Sequence, residues 1–156
     1  MIEVEIPGFG QLELEHLICD FSGTLSVDGK LVPGLRSRFE KLSKHLKIYI
    51  LTSDTHGAAE TELADVDCNL VILKESDHDV QKENYLRNLN GAQVVAIGNG
   101  NNDARLLKTA RIGICVCLNE GCSVAALKAA DILVNSAEDA LDLLLHTNRL
   151  KATLRY

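Results

Sequence analysis

The sequence predicts an α/β domain in which helices cover both faces of a mainly parallel sheet. Two observations support this prediction. Short segments that are apolar throughout, such as Val94-Val95-Ala96-Ile97, indicate strands buried on both faces, as the strands of a parallel sheet are. Segments with apolar residues three and four positions apart follow these strands in regular alternation, which is the pattern of connecting helices.

The first part of the chain predicts two hairpins around one buried strand. Residues 1–15 predict a β-hairpin, because 2–6 and 11–15 alternate apolar and polar residues on either side of a Pro-Gly-Phe-Gly turn signal. A buried strand is predicted at 16–20. Residues 25–32, "LSVDGKLV", predict a smaller hairpin with Asp28-Gly29 at its tip, and this segment is called the flap below.

Beyond the flap, helices and strands alternate to the end of the pattern. The first helix is predicted at 35–46, where Leu35, Phe39, Leu42 and Leu46 share one face. Further strands are predicted at 47–52, 69–73, 92–98, 111–117 and 131–135. Further helices are predicted at 56–65, 79–90, 101–110, 120–130 and 137–146. The length of 156 residues fits one domain over 1–156, without an internal repeat.

Composition and charge exclude several classes of protein. The net charge of −6, without a basic stripe, disfavours nucleic acid as a partner. The longest apolar stretch is too short to cross a bilayer, so no membrane partner is expected. The N-terminal segment is acidic and alternating rather than a secretory signal. We therefore expect a soluble, cytoplasmic protein.

The five cysteines leave one question open. Their odd number, without a secretory signal, argues against a disulfide framework. Cys115, Cys117 and Cys122 are close in sequence and could form a metal site. The alternative is that Cys115 and Cys117 lie on one face of a buried strand as small apolar residues, and no fourth ligand stands at zinc-like spacing.

Polar residues gather where the predicted strands end. In an open parallel sheet, ligands bind outside the carboxyl ends of the strands, at a topological switch point. Asp20 follows the first buried strand, and Lys82 lies in the helix before the fourth. The other residues at strand ends are Thr52, Ser53 and Asp54 after the second strand, and 98–103 after the fourth.

This set of residues suits phosphoryl transfer. Asp20 can serve as a nucleophile that forms an aspartyl phosphate. Two carboxylates beside a phosphate repel it unless a cation lies between them, and Mg²⁺ uses one or two carboxylates together with phosphate oxygens. Lys82 can pair with Asp20 and the phosphoryl group, although Lys74 is a competitor for this role.

Four motifs resemble those of the haloacid dehalogenase-like superfamily in order and spacing. They are "DFSGTL" from Asp20, "ILTSDT" around Thr52, Lys82, and "VVAIGNGNND" ending at Asp103. The chain looks most like the phosphorylation domain of P-type ATPases and its small soluble relatives, whose motifs read D-K-T-G-T-L and G-D-G-x-N-D. The resemblance covers roughly residues 16–145 and implies a Rossmann-like fold of three layers.

The resemblance also implies a role for each site residue. Asp20 is expected to be the nucleophile and a ligand of Mg²⁺, together with the Ser22 carbonyl, Asn99 and Asp103. The remaining expected phosphate contacts are made by Ser22, Gly23, Thr24, Thr52, Ser53 and Lys82.

Two departures from the family pattern predict slow turnover. Asn99 stands where the family usually has an aspartate, so a charge is lost and the affinity for Mg²⁺ should fall. Ser22 stands where phosphatases of the superfamily carry a second aspartate, which protonates the leaving group and then activates water. P-type ATPases have threonine at this position, and serine cannot do this work at neutral pH.

The intervals from Asp20 to Thr52 and from Thr52 to Lys82 are too short for a cap domain, so only the flap could cover the site. The sequence therefore predicts a capless Mg²⁺-dependent phosphohydrolase or phosphotransferase of low intrinsic rate. Its partner would be a small phosphorylated molecule or an acyl phosphate. Self-association through the flap or the N-terminal hairpin is a further expectation. The alternative is a binding or regulatory module that kept the fold without efficient turnover.

Overall fold

The structure is a computed structural model that describes residues 1–54 and 56–156. Its strands are β1 (Ile2–Ile6), β2 (Gly10–Leu14), β3 (His16–Asp20), β4 (Ser26–Val27), β5 (Lys30–Leu31), β6 (Lys47–Thr52), β7 (Asn69–Ile72), β8 (Val94–Gly98), β9 (Ile112–Val116) and β10 (Ile132–Val134). Its α-helices are α1 (Leu35–Leu42), α2 (Ala58–Glu62), α3 (His78–Asn88), α4 (Ala104–Thr109), α5 (Val124–Ala129), α6 (Ala137–Leu145) and α7 (Thr147–Leu154).

Six strands form the central sheet in the order β10-β9-β8-β3-β6-β7, and every neighbouring pair is parallel. The chain builds β3, β6 and β7 towards one edge and then returns to the other side of β3 to build β8, β9 and β10. The predicted fold class, an α/β domain with a parallel sheet, is confirmed.

Apolar side chains pack on both faces of this sheet. Leu17 and Cys19 of β3 join a core with α1, α6 and α7, whereas Ile18 between them joins a second core with α3, α4 and α5. Successive side chains of a strand point to opposite faces, so an uninterrupted apolar strand supplies both cores. The result is three layers, with the sheet in the middle.

The two hairpins lie outside the central sheet. β1 and β2 pair antiparallel, and Leu12 and Leu14 of β2 are fully buried in the first core. In the flap, β4 pairs antiparallel with β5, and Ser26 is opposite Leu31. Asp28 and Gly29 at the flap tip both have positive φ, as tight hairpin turns require.

Several predicted helices are shorter in the structure. The helix predicted at 35–46 ends at Leu42, and the segment predicted at 101–110 starts as a 3₁₀ turn at Asn101–Asp103 before α4. The helix predicted at 120–130 begins only at Val124, because the Ser123 hydroxyl caps it by accepting from the Ala126 amide at 3.0 Å. Residues 117–123 therefore form a loop.

The sequence did not predict α7, which packs beside β1. Its buried residue is Leu150, and Leu154 four positions later also packs on the first core. No helix in the described part of the chain combines the length and the apolar character needed to cross a bilayer.

Candidate functional site

Buried polar side chains cluster at the carboxyl edge of the sheet. Among residues 1–54 and 56–156, the buried polar or charged residues are Asp20, Thr24, Ser26, Thr52, Lys82 and Asp103. Five of the six belong to the predicted motifs. A core built from apolar side chains has no structural need for three buried ionisable groups, so their presence marks this edge as the candidate site.

The topology of the sheet brings these residues together. The direction in which strands are added reverses at β3, which lies between β6 and β8. Asp20 is the last residue of β3, Thr52 is the last residue of β6, and the loop that carries Asp103 follows β8. This is a topological switch point, where open α/β sheets bind their ligands.

Lys82 joins the two carboxylates of the site. Its Nζ lies 2.7 Å from Asp20 Oδ1 and 2.7 Å from Asp103 Oδ1, so these two oxygens are within two hydrogen-bond lengths of one another. The Lys82 side chain is 1% exposed. Lys74, the competing lysine, has an exposed position beyond β7. The structure thus brings Lys82, and not Lys74, into contact with both acids.

Burial changes the protonation of these groups. Burial and the negative charge of Asp103 raise the pKa of Asp20 to about 7, although Lys82 and the Thr24 hydroxyl act in the opposite direction. Burial alone would lower the pKa of Lys82, but its two carboxylate partners outweigh burial and raise it. Lys82 is therefore a stable cation, while Asp20 in the free protein exchanges its proton near neutral pH.

Asp103 is held rigidly by the loop that carries it. Its Oδ2 accepts from the amides of Asn99 at 3.0 Å and Gly100 at 2.9 Å, while its Oδ1 accepts from Lys82. The side chain crosses directly over Gly98, where an added Cβ would lie 2.6 Å from Asp103 Cβ. Only glycine leaves room for the carboxylate at this point.

Thr24 and Asn99 connect the loops that follow β3 and β8. The Thr24 hydroxyl is 3.1 Å from Asp20 Oδ2 and 3.2 Å from Asn99 Oδ1. The Asn99 Nδ2 donates to the Gly121 carbonyl at 3.2 Å. Asn99 therefore lies beside the site, where its Nδ2 is bonded to Gly121 and its Oδ1 shares the single hydroxyl proton of Thr24 with Asp20 Oδ2.

The turn after Asp20 is closed by its own backbone. The Gly23 amide donates to the Ser26 carbonyl at 3.0 Å, and the Thr24 amide donates to the Phe21 carbonyl at 3.2 Å. The sequence predicts that these amides donate hydrogen bonds to phosphate. They could do so only if their present hydrogen bonds to the backbone were broken. Ser22, in contrast, is exposed at the mouth of the site.

The second motif contributes a buried hydroxyl. Thr52 follows Leu51, the residue paired with Asp20 across the sheet, and its Oγ1 accepts from the Asp54 amide at 3.1 Å. No acceptor among residues 1–54 and 56–156 takes the hydroxyl proton of Thr52, which can be donated to a ligand. Ser53 is exposed next to it, and Asp54 caps the start of α2 by accepting from the Ala59 amide at 2.7 Å.

The donor set at this edge suits Mg²⁺ better than a transition metal. Within the described residues, no group of three or more His, Cys, Asp or Glu side chains is arranged to hold a metal. Asp20 and Asp103 alone supply two carboxylates, and Mg²⁺ commonly takes one or two, with water, carbonyl and phosphate oxygens completing its shell.

The three neighbouring cysteines do not form a metal site among the described residues. Cys115 is buried, Cys117 and Cys122 are partly buried, and all three are free thiols.

The flap and two loops enclose a cavity of about 460 Å³. Its walls are largely apolar, and they include Val27, Leu31 and Pro33 from the flap region and Leu118 from the loop after β9. Asn119, Asn135 and Ser136 add polar groups. The cavity has the dimensions of a small-molecule site.

The sequence analysis missed Glu120, because it assigned this residue to a helix. In the structure Glu120 lies in the loop 117–123, where its Oε1 accepts from the Asp28 amide of the flap at 2.8 Å. The available signal was Gly121, whose positive φ ends any helix starting before it.

Comparisons with known proteins identify one relative in sequence and many in structure. No family model matches the chain. Over 63 residues, which are 40% of this chain and 68% of the relative, the sequence is 56% identical to an uncharacterized protein of Methanocaldococcus jannaschii.

Solved phosphatase structures share the fold. A cobalt-bound deoxy-D-mannose-octulosonate 8-phosphate phosphatase of Haemophilus influenzae aligns with a TM-score of 0.71 at 11% identity, over 92% of this chain and 94% of that chain. The 3-deoxy-D-manno-octulosonate 8-phosphate phosphatase of Moraxella catarrhalis, in complex with magnesium ion, phosphate ion and KDO, aligns with a TM-score of 0.68 at 15% identity, over 91% and 94%. At these identities the likeness concerns the fold alone.

Proposed function

Because the chain belongs to the same family as the Methanocaldococcus jannaschii protein and has the haloacid dehalogenase-like fold, we propose that it is a phosphohydrolase or phosphotransferase that depends on Mg²⁺ and forms an aspartyl phosphate on Asp20. The buried group of Asp20, Lys82 and Asp103 carries this proposal. Burying three ionised side chains costs several kcal/mol per ion before pairing, so a function is the simplest reason to retain them.

The residues of this edge can perform the transfer step. The Asp20 carboxylate attacks phosphorus, and the bond from phosphorus to the leaving oxygen breaks. Lys82 at Oδ1 and the Thr24 hydroxyl at Oδ2 orient the attacking carboxylate, and Lys82 offsets negative charge as the phosphoryl group approaches. The free hydroxyl proton of Thr52 can be donated to a phosphoryl oxygen.

Mg²⁺, when bound, would neutralise the charge shared by Asp20, Asp103 and the phosphoryl oxygens. Asp20 and Asp103, with the Ser22 carbonyl, are the groups that would hold it. Asn99 would contribute an amide oxygen at most, because it lacks the charge of an aspartate. The magnesium and phosphate ions of the Moraxella catarrhalis complex support the choice of this metal.

The rate is expected to be low because Ser22 lacks a carboxyl group. A positioned acid or base contributes about a hundred- to ten-thousand-fold in rate. Ser22 is exposed and offers only a hydroxyl group that stays protonated at neutral pH. Substrates with good leaving groups, such as acyl phosphates, are therefore expected to phosphorylate Asp20 faster than sugar phosphates do.

The substrate we propose is a small phosphorylated molecule or an acyl phosphate. The Haemophilus and Moraxella phosphatases act, by their names, on an octulosonate phosphate. The cavity between the flap and the loop after β9 is lined by none of Asp20, Thr52, Lys82 and Asp103.

A second candidate is a binding or regulatory module with little or no turnover. Asn99 favours it, because its side chain carries no negative charge to attract a metal and its Nδ2 is bonded to the Gly121 carbonyl. The two candidates differ in one observable, the covalent intermediate on Asp20.

The test is incubation with Mg²⁺ and a panel of phosphomonoesters and acetyl phosphate, measuring phosphate release and protein mass. The proposal expects phosphate release and a phosphorylated protein, both lost in Asp20→Asn. Lys74→Gln is the matched control, and it should retain both because Lys74 is exposed and the ion pairs of Asp20 and Asp103 are made with Lys82. Absence of both signals in the wild-type protein would favour the binding module.

A further inference from the structure

Glu120 lies on a loop that is fastened to the candidate site. The Ser123 amide donates to the Asn99 carbonyl at 2.8 Å, and the Gly121 carbonyl accepts from the Asn99 side chain. Within the loop, the Gly121 amide donates to the Leu118 carbonyl at 2.9 Å. Glu120 is therefore held in a fixed turn next to the loop that carries Asp103.

The Glu120 carboxylate reaches over the turn that follows Asp20. Its Oε2 is 2.9 Å from the point where a Cβ on Gly23 would lie, and the Asn99 Nδ2 also lies next to that point. Gly23 has a φ of +75°, so the chain already requires glycine there, and the missing side chain leaves the space that the carboxylate uses. Gly23 is the neighbour of Ser22, the residue that lacks a carboxyl group.

The other contacts of Glu120 do not explain a carboxylate. Its Oε1 accepts from the Asp28 amide, a bond that a neutral amide oxygen could make equally well. None of the ion pairs among the described residues includes Glu120. It is also not a third metal ligand beside Asp20 and Asp103, because the described residues hold no metal-binding group of three such side chains.

We propose that the Glu120 carboxyl group is the general acid and base of this site, supplying from another loop, and less efficiently than an aspartate at position 22 would, the proton transfers that Ser22 cannot make. The inference rests on the function proposed above. When Asp20 attacks phosphorus, the Glu120 O–H donates its proton to the leaving oxygen as the bond from phosphorus to that oxygen breaks. Glu120 is then a carboxylate.

The second half of the reaction restores both groups. Glu120 takes a proton from a water molecule, the water oxygen attacks phosphorus, and the bond from phosphorus to Asp20 breaks. The products are inorganic phosphate, an Asp20 carboxylate and a protonated Glu120, so each turnover returns the starting state. The exposed position of Glu120 leaves room for the leaving group and for water.

Fastening the flap is the competing role for Glu120, and Glu62 provides the matched control. Glu62 holds the base of the same flap, since it accepts from the Leu31 amide at 3.0 Å and pairs with Lys30 at 3.1 Å. Glu120→Gln keeps an oxygen that can accept from the Asp28 amide but removes the transferable proton. Glu120→Asp keeps the carboxyl group on a shorter side chain.

The experiment compares wild type, Glu120→Gln, Glu120→Asp and Glu62→Gln with Mg²⁺. Hydrolysis of an alkyl phosphate and the lifetime of the phosphoenzyme formed from acetyl phosphate are measured. We expect Glu120→Gln to lower alkyl phosphate hydrolysis by about a hundredfold and to lengthen the phosphoenzyme lifetime by a similar factor. Phosphorylation by acetyl phosphate should change little, because its leaving group needs little protonation. Glu120→Asp should recover part of the loss, and Glu62→Gln should stay close to wild type.

Three results would overturn the inference. Wild-type rates in Glu120→Gln, or equal losses in Glu120→Gln and Glu62→Gln, would reject Glu120 as the acid and base while leaving the Asp20 mechanism intact. A wild-type protein that neither forms a phosphoenzyme nor releases phosphate would reject the proposed function and this inference together.

Discussion

Lys82 is fully buried, and its ammonium group is shared between Asp20 and Asp103. The group of three carries two negative charges and one positive charge when all are ionised. Such an excess of buried negative charge favours binding of a cation or of a proton. The pKa of Asp20 is raised because, without a metal, burial and the charge of Asp103 favour binding of the proton. The buried Lys82 therefore both stabilises the two buried carboxylates and leaves one negative charge for a proton or a metal ion to neutralise.

Ser22→Asp should raise turnover. The position is exposed, so an aspartate fits without disturbing the core, and it would add an acid and base next to Asp20. We expect an increase of about tenfold or more, largest for substrates with poor leaving groups. Steady-state phosphate release across a series of leaving groups measures it. A variant that folds and binds Mg²⁺ but gains nothing would count against the role assigned to this position.

Asn99→Asp should tighten Mg²⁺ binding while weakening the metal-free protein. The added charge attracts the cation, but it also places a carboxylate oxygen against the Gly121 carbonyl and removes the bond from Asn99 Nδ2, worth about 1 kcal/mol. Calorimetric titration with Mg²⁺ checks the first effect, and thermal unfolding with and without Mg²⁺ checks the second. Equal or weaker Mg²⁺ binding would speak against a metal at this edge.

Most residues of the candidate site could be predicted from the order of the motifs in the sequence. Asp20, Thr52 and Asp103 could be found because each follows an apolar strand, and strand ends meet at one edge of a parallel sheet. The choice of Lys82 over Lys74 depends on which lysine reaches the two carboxylates, and this depends on how α3, which carries Lys82, packs against the sheet. Gly121 could have indicated that Glu120 lies in a loop, but the approach of Glu120 to the turn at Gly23 joins residues far apart in the chain and leaves no sequence signal.

At the scale of elements, one ion pair joins α1 to α6. Arg38 donates to both oxygens of Asp142, at 2.8 Å and 3.0 Å, and both side chains are partly buried. The hydrogen bonds from Arg38 hold the pKa of Asp142 below its ordinary value of 3.8. A carboxylate with a lowered pKa stabilises the folded state at neutral pH, and the contribution is lost as pH falls through that lowered value.

Asp142→Asn should therefore reduce the free energy of unfolding by about 1 kcal/mol at neutral pH. The loss should shrink in strong acid, where Asp142 of the wild type is itself protonated. Urea unfolding of both proteins at the two pH values measures this, with Asp65→Asn as the control for a more exposed pair with Arg36. A loss that does not depend on pH would contradict the ion-pair explanation.

The succession of strands and helices was predictable because each strand is apolar and each helix has an apolar face. Their ends were less predictable. The start of α5 depends on the Ser123 cap and on the bonds that hold 117–123 to Asn99, which are tertiary contacts. The short helix α7 was overlooked because only Leu150 of it is buried, so its periodic signal is weak.

At the scale of the whole molecule, the metal-free site should respond to pH and to Mg²⁺ together. The pKa of Asp20 is raised to about 7, so its contribution to stability is present in acid and is lost as pH rises through about 7. Mg²⁺ competes with the Asp20 proton, so its affinity should rise about tenfold per pH unit below that pKa and level off above it.

Thermal unfolding with and without Mg²⁺, at about pH 6 and about pH 8, tests this coupling. The stabilisation by Mg²⁺ should be larger at the higher pH. Asp20→Asn, which has no proton to release, should show little dependence on pH. Equal stabilisation of the wild type at both pH values would contradict the shared use of Asp20 by proton and metal.

The proposed reaction requires that Asp20 carries a phosphoryl group. The most direct measurement is peptide mass mapping after the protein has been incubated with acetyl phosphate and Mg²⁺ and quenched in acid. The account predicts one phosphorylated peptide, containing Asp20, that loses its label on treatment with hydroxylamine as an acyl phosphate does. No label on that peptide, with Mg²⁺ bound and the protein folded, or a label elsewhere in the chain, would contradict it.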